Sequence, residues 1–400
     1  MADNGKKKLI WTILFSVITI VLCYLFIVVY FYFINPYNIS MRLTFWPFVS
    51  ERQVGEMYNE ATVDVAFTYI NEETDEEETI SATGVNVNQN GFIILPYSEI
   101  ALCEDFSKIK VQTRGGATYE GNFLYASREF NIAIVKCETA ANGKSINIPY
   151  VTLTSSYYNN DKVFVSSQDI SDNSSWVGEI VDCEGYSFVS TKEYFYCIED
   201  GFTITVNGDF SFRGGAVFDR SAHLIGFSYK DTVEFDSNST TLSENKEHYI
   251  MPTYPAKLVI DDVINAYNNN QTYENRLVDA FVGVDYKEAS TLTIAENLKD
   301  GKIYYHNKYY EITDEIDYFV NSNVEGFLLL EKFAYNETSI NASAVIYEIY
   351  VGDEKFEICN KLDFYIVVNA LEKGDNVRIN FKVLNGAGTG YNLETKMFKV

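Results

Sequence analysis

The sequence predicts a mostly β body carried on one membrane-spanning helix, and three observations predict it. Leu9 to Ile34 contains no charged residue, a run longer than the roughly 20 residues that cross a bilayer core. From Ala61 onward apolar residues recur at every second position, the period of a half-buried strand. Tyr (31) and Phe (28) are abundant while Pro (6) is scarce, a composition that favours strands over linkers. The 400 residues, 47% of them hydrophobic and 16% aromatic, suffice for two or three packed domains and lack the signature of disorder. The net charge of -25 excludes nucleic acid as a partner, because the 31 Lys and Arg cluster nowhere beyond Lys6, Lys7 and Lys8 and phosphate binding needs a basic face.

Taken in order, the three lysines flank the apolar run on its N-terminal side, which places residues 1–8 in the cytoplasm, 9–34 in the membrane and everything after Asn35 outside. A cleavable signal peptide has a shorter apolar region and small residues at its end, whereas bulky Tyr30-Phe31-Tyr32 continue to Asn35-Pro36 here. Cys23 follows Leu22 with no small residue before it, which disfavours a lipoprotein. Residues 35–59 begin aromatic, with Phe45-Trp46-Pro47-Phe48, and read as a membrane-interface anchor.

Val63, Val65, Phe67 and Tyr69 then alternate with Thr62, Asp64, Ala66 and Thr68 as a strand. The acidic run Glu72 to Glu78 reads as a solvated hairpin loop, with a cation site or regulatory loop as the alternative. Asn90-Gly91 is a two-residue turn signal. Val324–Leu330 and Ala344–Ile349 are apolar stretches, and Val377–Val383 is expected as a closing strand. Pro255 to Tyr267 is expected as an N-terminally capped helix with Val259, Val263, Ala266 and Tyr267 on one face, followed by the polar linker Asn268–Gln271. A second helix from Asn360 to Leu371 stops at Lys373-Gly374-Asp375, where Gly suits the helix end.

Several of these segments carry a resemblance. Gly214-Gly215-Ala216-Val217-Phe218-Asp219, followed by Leu224-Ile225-Gly226, resembles the nucleophile loop of trypsin-fold serine proteases and the strand after it. Ser81 to Ile94 resembles the hairpin of the HtrA (DegP-like) branch of that fold. Ile109–Gly121 resembles that branch's next strand pair, and Ala126–Lys136 resembles its D-x-x-x-D-L-A-V-L-K stretch. His248–Thr253 is similar to G-F-A-I-P-I, and Ala280-Phe281-Val282-Gly283-Val284 is similar to the carboxylate-binding loop of a PDZ domain. The resemblance implies a double six-stranded β-barrel plus a C-terminal PDZ-like domain, divided as residues 60–254, a helix and linker 255–274, and 275–400. It also implies that residues 35–59 help build trimers.

In that frame every catalytic position is substituted. The general base falls on Ser98, the orienting acid on Asn131 and the nucleophile on Arg213, while the oxyanion-loop glycine falls on Ser211 beside bulky Phe212. A hydroxyl is no general base at neutral pH. An amide does not supply the charge that stabilises an imidazolium, and a guanidinium has no lone pair for attack on a carbonyl. Only three histidines exist, His223, His248 and His306. None follows an early strand, and all three read as solvent-facing turn or loop residues. Ser211 as a nucleophile lacks a visible base.

No C-x-x-C or H-x-x-x-H occurs, so neither a metal nor a cofactor is expected. Of six cysteines, Cys103, Cys137, Cys183, Cys197 and Cys359 lie outside the membrane. A Cys183–Cys197 bridge and free buried thiols are equally good readings. The expectation is a membrane-anchored pseudoprotease that binds polypeptides or protein C-termini in extracytoplasmic protein quality control, as a homotrimer or beside an active HtrA-like protease. The resemblance implies a peptide groove formed by Phe281, Val282, Gly283 and Val284 with Leu362, Tyr365 and Ile366 of the second helix. The alternatives are a weak serine endopeptidase and a structural cell-surface protein.

Overall fold

The computed structural model describes residues 2–400 except 46–48, 72–73, 75, 101–105, 128–129, 139–145, 154–156, 167–174, 191–194, 208–214, 229–244, 272, 274–276, 278–279, 286–297, 300–301, 306–307, 312 and 387. The helix Ala2–Val29 (α1) runs into a π-helical turn, Tyr30–Ile34. Trp11–Ile34 is 24 residues of this rod, long and apolar enough to cross a membrane, with none of it buried against the protein. The segment that follows is built rather than loose: Ile39–Phe45 (α2) and Glu51–Ala61 (α3) are helices. A capping box starts α3, in which Ser50 Oγ accepts from the Gln53 N–H and the Gln53 side chain accepts from the Ser50 N–H. Its inner face buries Val54, Met57, Tyr58 and Ala61.

Six strands then close a barrel: Thr62–Asn71 (β1), Glu76–Asn86 (β2), Phe92–Pro96 (β3), Phe106–Thr113 (β4), Thr118–Ser127 (β5) and Ile132–Cys137 (β6), in the order β1-β2-β3-β6-β5-β4. Val63, Val65 and Phe67 point inward and meet Ile93, Leu95, Ile109, Val111, Ala133 and Val135, so the period-two pattern is realised as one core. Two local expectations change. The turn at Asn90-Gly91 is not a two-residue hairpin loop. Asn88 Oδ1 accepts from the N–H groups of Asn90 (2.9 Å) and Phe92 (3.3 Å), which widens the loop to 87–91 with Gly91 at φ +80°. Glu76 to Glu78 belong to β2 rather than to a loop, and Glu78 accepts from Tyr69 Oη (2.9 Å) and Asn71 Nδ2 (2.7 Å).

A second ring comprises Thr152–Leu153 (β7), Lys162–Ser166 (β8), Ser175–Ser190 (β9), Phe195–Asn207 (β10), Ala216–Asp219 (β11), His223–Ser228 (β12) and Asn245–Pro252 (β13). The order β11-β8-β9-β10-β13-β12 is closed by β11 pairing β12, and β7 runs parallel along β12. Gly226 lets β12 and β13 approach, since a Cβ there would lie 2.3 Å from the Met251 carbonyl oxygen. His248 lies on β13, not in a linker. The helix Lys257–Asn268 (α4) lacks the expected side-chain cap. It continues directly from a 3-10 turn, Tyr254–Ala256, and Ala256 is itself helical.

The chain divides into two compact units, one drawn mainly from residues 1–254 and the other mainly from 255–400. The second unit contains Gly283–Val284 (β14), Leu298–Lys299 (β15), Lys302–Tyr305 (β16), Lys308–Glu311 (β17), Asp314–Asn321 (α5), Phe327–Leu329 (β18), Phe333–Tyr335 (β19), Thr338–Ile340 (β20), Val345–Val351 (β21), Glu354–Glu357 (β22), Lys361–Asn369 (α6), Asn376–Leu384 (β23) and Tyr391–Lys399 (β24). Its main sheet runs β14-β18-β21-β23-β24. One face presents Val284, Leu328 and Val345 to Ile316 and Phe319 of α5. Phe327 stacks on Phe364 of α6, with ring centroids 4.0 Å apart. Asn360 caps α6 by accepting from the Asp363 N–H at 2.8 Å, and Gly374 (φ +109°) lies five residues past its end. The strand expected to close the fold is not the last. Asn385 donates to the Gly390 carbonyl (2.8 Å) and reverses the chain, so β24 pairs β23 from Asn376↔Lys399 to Leu384↔Tyr391.

Candidate functional site

β3 and β6 are neighbours, with Pro96 opposite Ile132. The 3-10 turn Tyr97–Glu99 after β3 therefore meets the residue just before β6. That register brings Ser98 and Asn131 together across 33 positions of sequence. The Ser98 N–H donates to Asn131 Oδ1 (2.6 Å), Asn131 Nδ2 donates to Ser98 Oγ (3.2 Å) and the Tyr97 N–H donates to the Asn131 carbonyl (3.1 Å). Ser98 is 8% and Asn131 0% exposed. Asn131 has φ +47°, a left-handed conformation that Asn adopts more readily than other side chains. Neither group changes protonation near neutral pH, so this pair orients a turn and moves no proton.

Arg213, Ser211 and Gly214 lie outside the described residues. The strand that leaves their loop is held on both sides. The Gly215 N–H donates to Ser228 Oγ (3.1 Å), the Ser228 N–H donates to the Gly215 carbonyl (2.8 Å) and the Ala216 N–H donates to Ser166 Oγ (3.3 Å).

The histidine beyond that strand is not a solvated turn residue. His223 Nδ1 lies 2.7 Å from Asp219 Oδ2, and Asp219 Oδ1 accepts the N–H groups of Ser221 (2.8 Å) and His223 (2.9 Å). The Asp219 hydrogen bond holds the imidazole pKa above its ordinary value, against the effect of burial. The juxtamembrane helices grip the same turn. Tyr58 Oη donates to the Asp219 carbonyl (2.6 Å) and accepts the Ala222 N–H (3.0 Å), while Ser40 Oγ donates to the Ala222 carbonyl (2.7 Å). Burial first, and then the Asp219 charge, push the Tyr58 hydroxyl far above its usual pKa. Sequence reasoning missed this cluster. Its legible signal was an Asp four residues before a His at a turn.

In the second unit Gly283–Val284 (β14) form the edge of the sheet, with Phe281 and Val282 leading into it. Val282 accepts the Leu330 N–H (2.8 Å), and Gly283 and Val284 pair with Leu329 and Leu328. The Phe281 ring stacks on Phe333 (4.0 Å) and meets Phe364 edge-on (4.8 Å). Tyr365 Oη donates to the Phe281 carbonyl at 3.3 Å. The expected loop and helix residues thus meet at Phe281 and Tyr365. Ile366 is half-buried on the same helix, and the Leu362 side chain lies outside the described residues. Phe327, Phe364 and the buried Asp285, which sequence reasoning did not single out, complete the junction.

Among the described residues no three His, Cys, Asp or Glu converge on one point. Cys183 is a free thiol, so the bridge to Cys197 is not formed; Cys23, Cys137 and Cys359 are free as well, and Cys103 lies outside the described residues. Burial pushes the Cys137 thiol up to about 12.

No family model matches this chain, and no curated protein matches it. Among solved structures it is similar to an HtrA-type protease, AlgW, in a variant form with a decapeptide. The TM-score is 0.50 at 14% identity, over 88% of this chain and 97% of that one. The likeness shows the fold: a mostly β, trypsin-like pair of six-stranded barrels behind one N-terminal apolar helix.

Proposed function

We propose that this chain is a membrane-anchored, HtrA-like pseudoprotease that binds polypeptides through a PDZ-like C-terminal domain, as a regulatory or substrate-binding component of extracytoplasmic protein quality control. One observation carries the loss of catalysis: the positions that the resemblance assigns to base and acid are Ser98 and Asn131, and they are hydrogen-bonded to each other. A hydrolase of this kind needs an imidazole and a carboxylate there, because triad members act as a unit. The third position, Arg213, offers no nucleophile.

The binding half of the reading draws on the sheet edge at Phe281 to Val284, beside the helix that carries Tyr365. An extended peptide adds to such an edge through its main chain, and its terminal side chain enters the space beside the helix. The solved HtrA-type neighbour carries a decapeptide. Affinity of roughly micromolar strength follows from a few main-chain hydrogen bonds set against the cost of ordering the ligand. Lys6, Lys7 and Lys8, on the N-terminal side of the apolar run, support an orientation with the N-terminus in the cytoplasm and the barrels outside.

The test is a titration of the purified full chain in detergent with matched free-carboxylate and amidated peptides. Binding that depends on the free carboxylate supports the reading. Binding indifferent to amidation, or none, removes the groove from it. The rival reading, a weak serine endopeptidase, rests on Ser211 and is separated by fluorophosphonate labelling.

A further inference from the structure

An edge strand has two sides. Val282 and Val284 turn their backbone groups toward β18, as the bond from the Leu330 N–H to the Val282 carbonyl (2.8 Å) records. Alternation along a strand then turns the groups of Phe281 and Gly283 the other way, the side on which the Phe281 carbonyl meets Tyr365 of α6. This is the side on which an added peptide strand must pair.

It is not vacant. Tyr365 Oη from α6 donates to the Phe281 carbonyl (3.3 Å), and the Lys361 N–H at the first turn of α6 donates to Asp285 Oδ2 (3.4 Å). Phe281, Asp285 and Tyr365 are 3%, 0% and 2% exposed, so both bonds are sheltered from water. Aromatic rings brace the closure. Phe364, the residue before Tyr365, stacks on Phe327 and meets Phe281 edge-on. Gly283 leaves no space behind the strand, since a Cβ there would lie 2.6 Å from the Phe327 ring. The helix is therefore fastened to the two residues that flank β14, Phe281 before it and Asp285 after it, through groups four residues apart on α6.

We propose that the Tyr365 hydroxyl is a latch on this groove, and that the ligand which opens it is an extended polypeptide whose backbone N–H replaces that hydroxyl at the Phe281 carbonyl. The inference rests on the groove reading above and adds its regulation. In the closed state the hydroxyl donates to the carbonyl of a residue that is itself buried. In the open state the ligand's main chain supplies the same donor. The exchange is one hydrogen bond for another, so the latch selects for an extended backbone and against a ligand that offers only an apolar side chain.

Removing the hydroxyl while keeping the ring weakens only the closed state, because the Phe281 carbonyl is then buried without that donor. The experiment measures binding of a free-carboxylate peptide by the full chain in detergent, for the parent and for Tyr365→Phe. Amide exchange through Lys361–Asn369 is followed without peptide, and exchange through β23 serves as the folding control. The latch predicts binding about two- to tenfold tighter in the variant, the share of one net hydrogen bond, together with faster exchange in α6 and unchanged protection of β23. Equal or weaker binding by the variant overturns the latch and leaves the groove reading in place. No binding by either protein overturns both.

Discussion

The pair at Ser98 and Asn131 makes one structural joint of two positions that the resemblance assigns to a base and an acid. Asn131 holds the turn after β3 through its side-chain oxygen, side-chain nitrogen and backbone carbonyl, at φ +47°. Asn131→Ala removes two side-chain hydrogen bonds from a buried site and puts Ala in a left-handed conformation, so it is expected to cost about 2–4 kcal/mol in chemical denaturation. Ser98→Ala removes one acceptor and is expected to cost about 1 kcal/mol. His223 gives a second test at this scale. Its folded pKa is raised by Asp219, so the pair's contribution to stability is fully present below the unfolded value, about 6.5, and is lost as pH rises through the folded pKa. Unfolding midpoints measured from pH 6 to 9 are expected to fall across that window in the parent and to stay flatter in Asp219→Asn. An identical slope in both proteins contradicts the assignment.

Among the elements, α3 shows what packing adds beyond periodicity. Tyr58 bridges the Asp219 carbonyl and the Ala222 N–H, and its ring stacks on Phe218 at 4.8 Å. Tyr58→Phe keeps the stack and leaves a buried carbonyl and N–H without the hydroxyl, so a loss of about 1–3 kcal/mol is expected. Limited proteolysis is expected to cut first within 49–61, where the helix loosens from the barrel. The first barrel was legible where one face of a strand is buried, as in β1, whose inward residues alternate with more exposed ones; β3 and β6 are buried along their whole length and show no such period. The juxtamembrane helices were not, because α3 is polar on average and its few buried residues read as an aromatic-to-polar drift. The extra strand β24 was hidden for a related reason: residues such as Leu393 (69% exposed) and Met397 (68%) point to solvent and leave no alternation to detect. The Ser98–Asn131 contact was legible only as two positions assigned by the resemblance, since their hydrogen bonds depend on the β3–β6 register that sequence does not give. The Tyr365 contact was legible as a neighbourhood but not as a hydrogen bond, since sequence does not say which way a hydroxyl points.

Three residues, 35–37, separate the π-helical turn from Asn38, which bridges Tyr150. Were α1 in the bilayer, as proposed, that tether would reach at most about 14 Å and would hold the barrels close to the membrane surface. Cys359 is exposed and Cys137 is buried. An impermeant thiol reagent on intact cells is therefore expected to label Cys359 and spare Cys137, and labelling of Cys359 only after permeabilisation reverses the topology. The central claim is that an HtrA-type fold has been kept without its chemistry. The most direct measurement is turnover of an unfolded casein-like substrate by the purified chain, run beside fluorophosphonate labelling and the Arg213→Ser variant. The account predicts no turnover and no label in the parent, and no rescue by Arg213→Ser, because Ser98 and Asn131 still supply neither base nor acid. Turnover by the parent that disappears on changing Ser211 would contradict it.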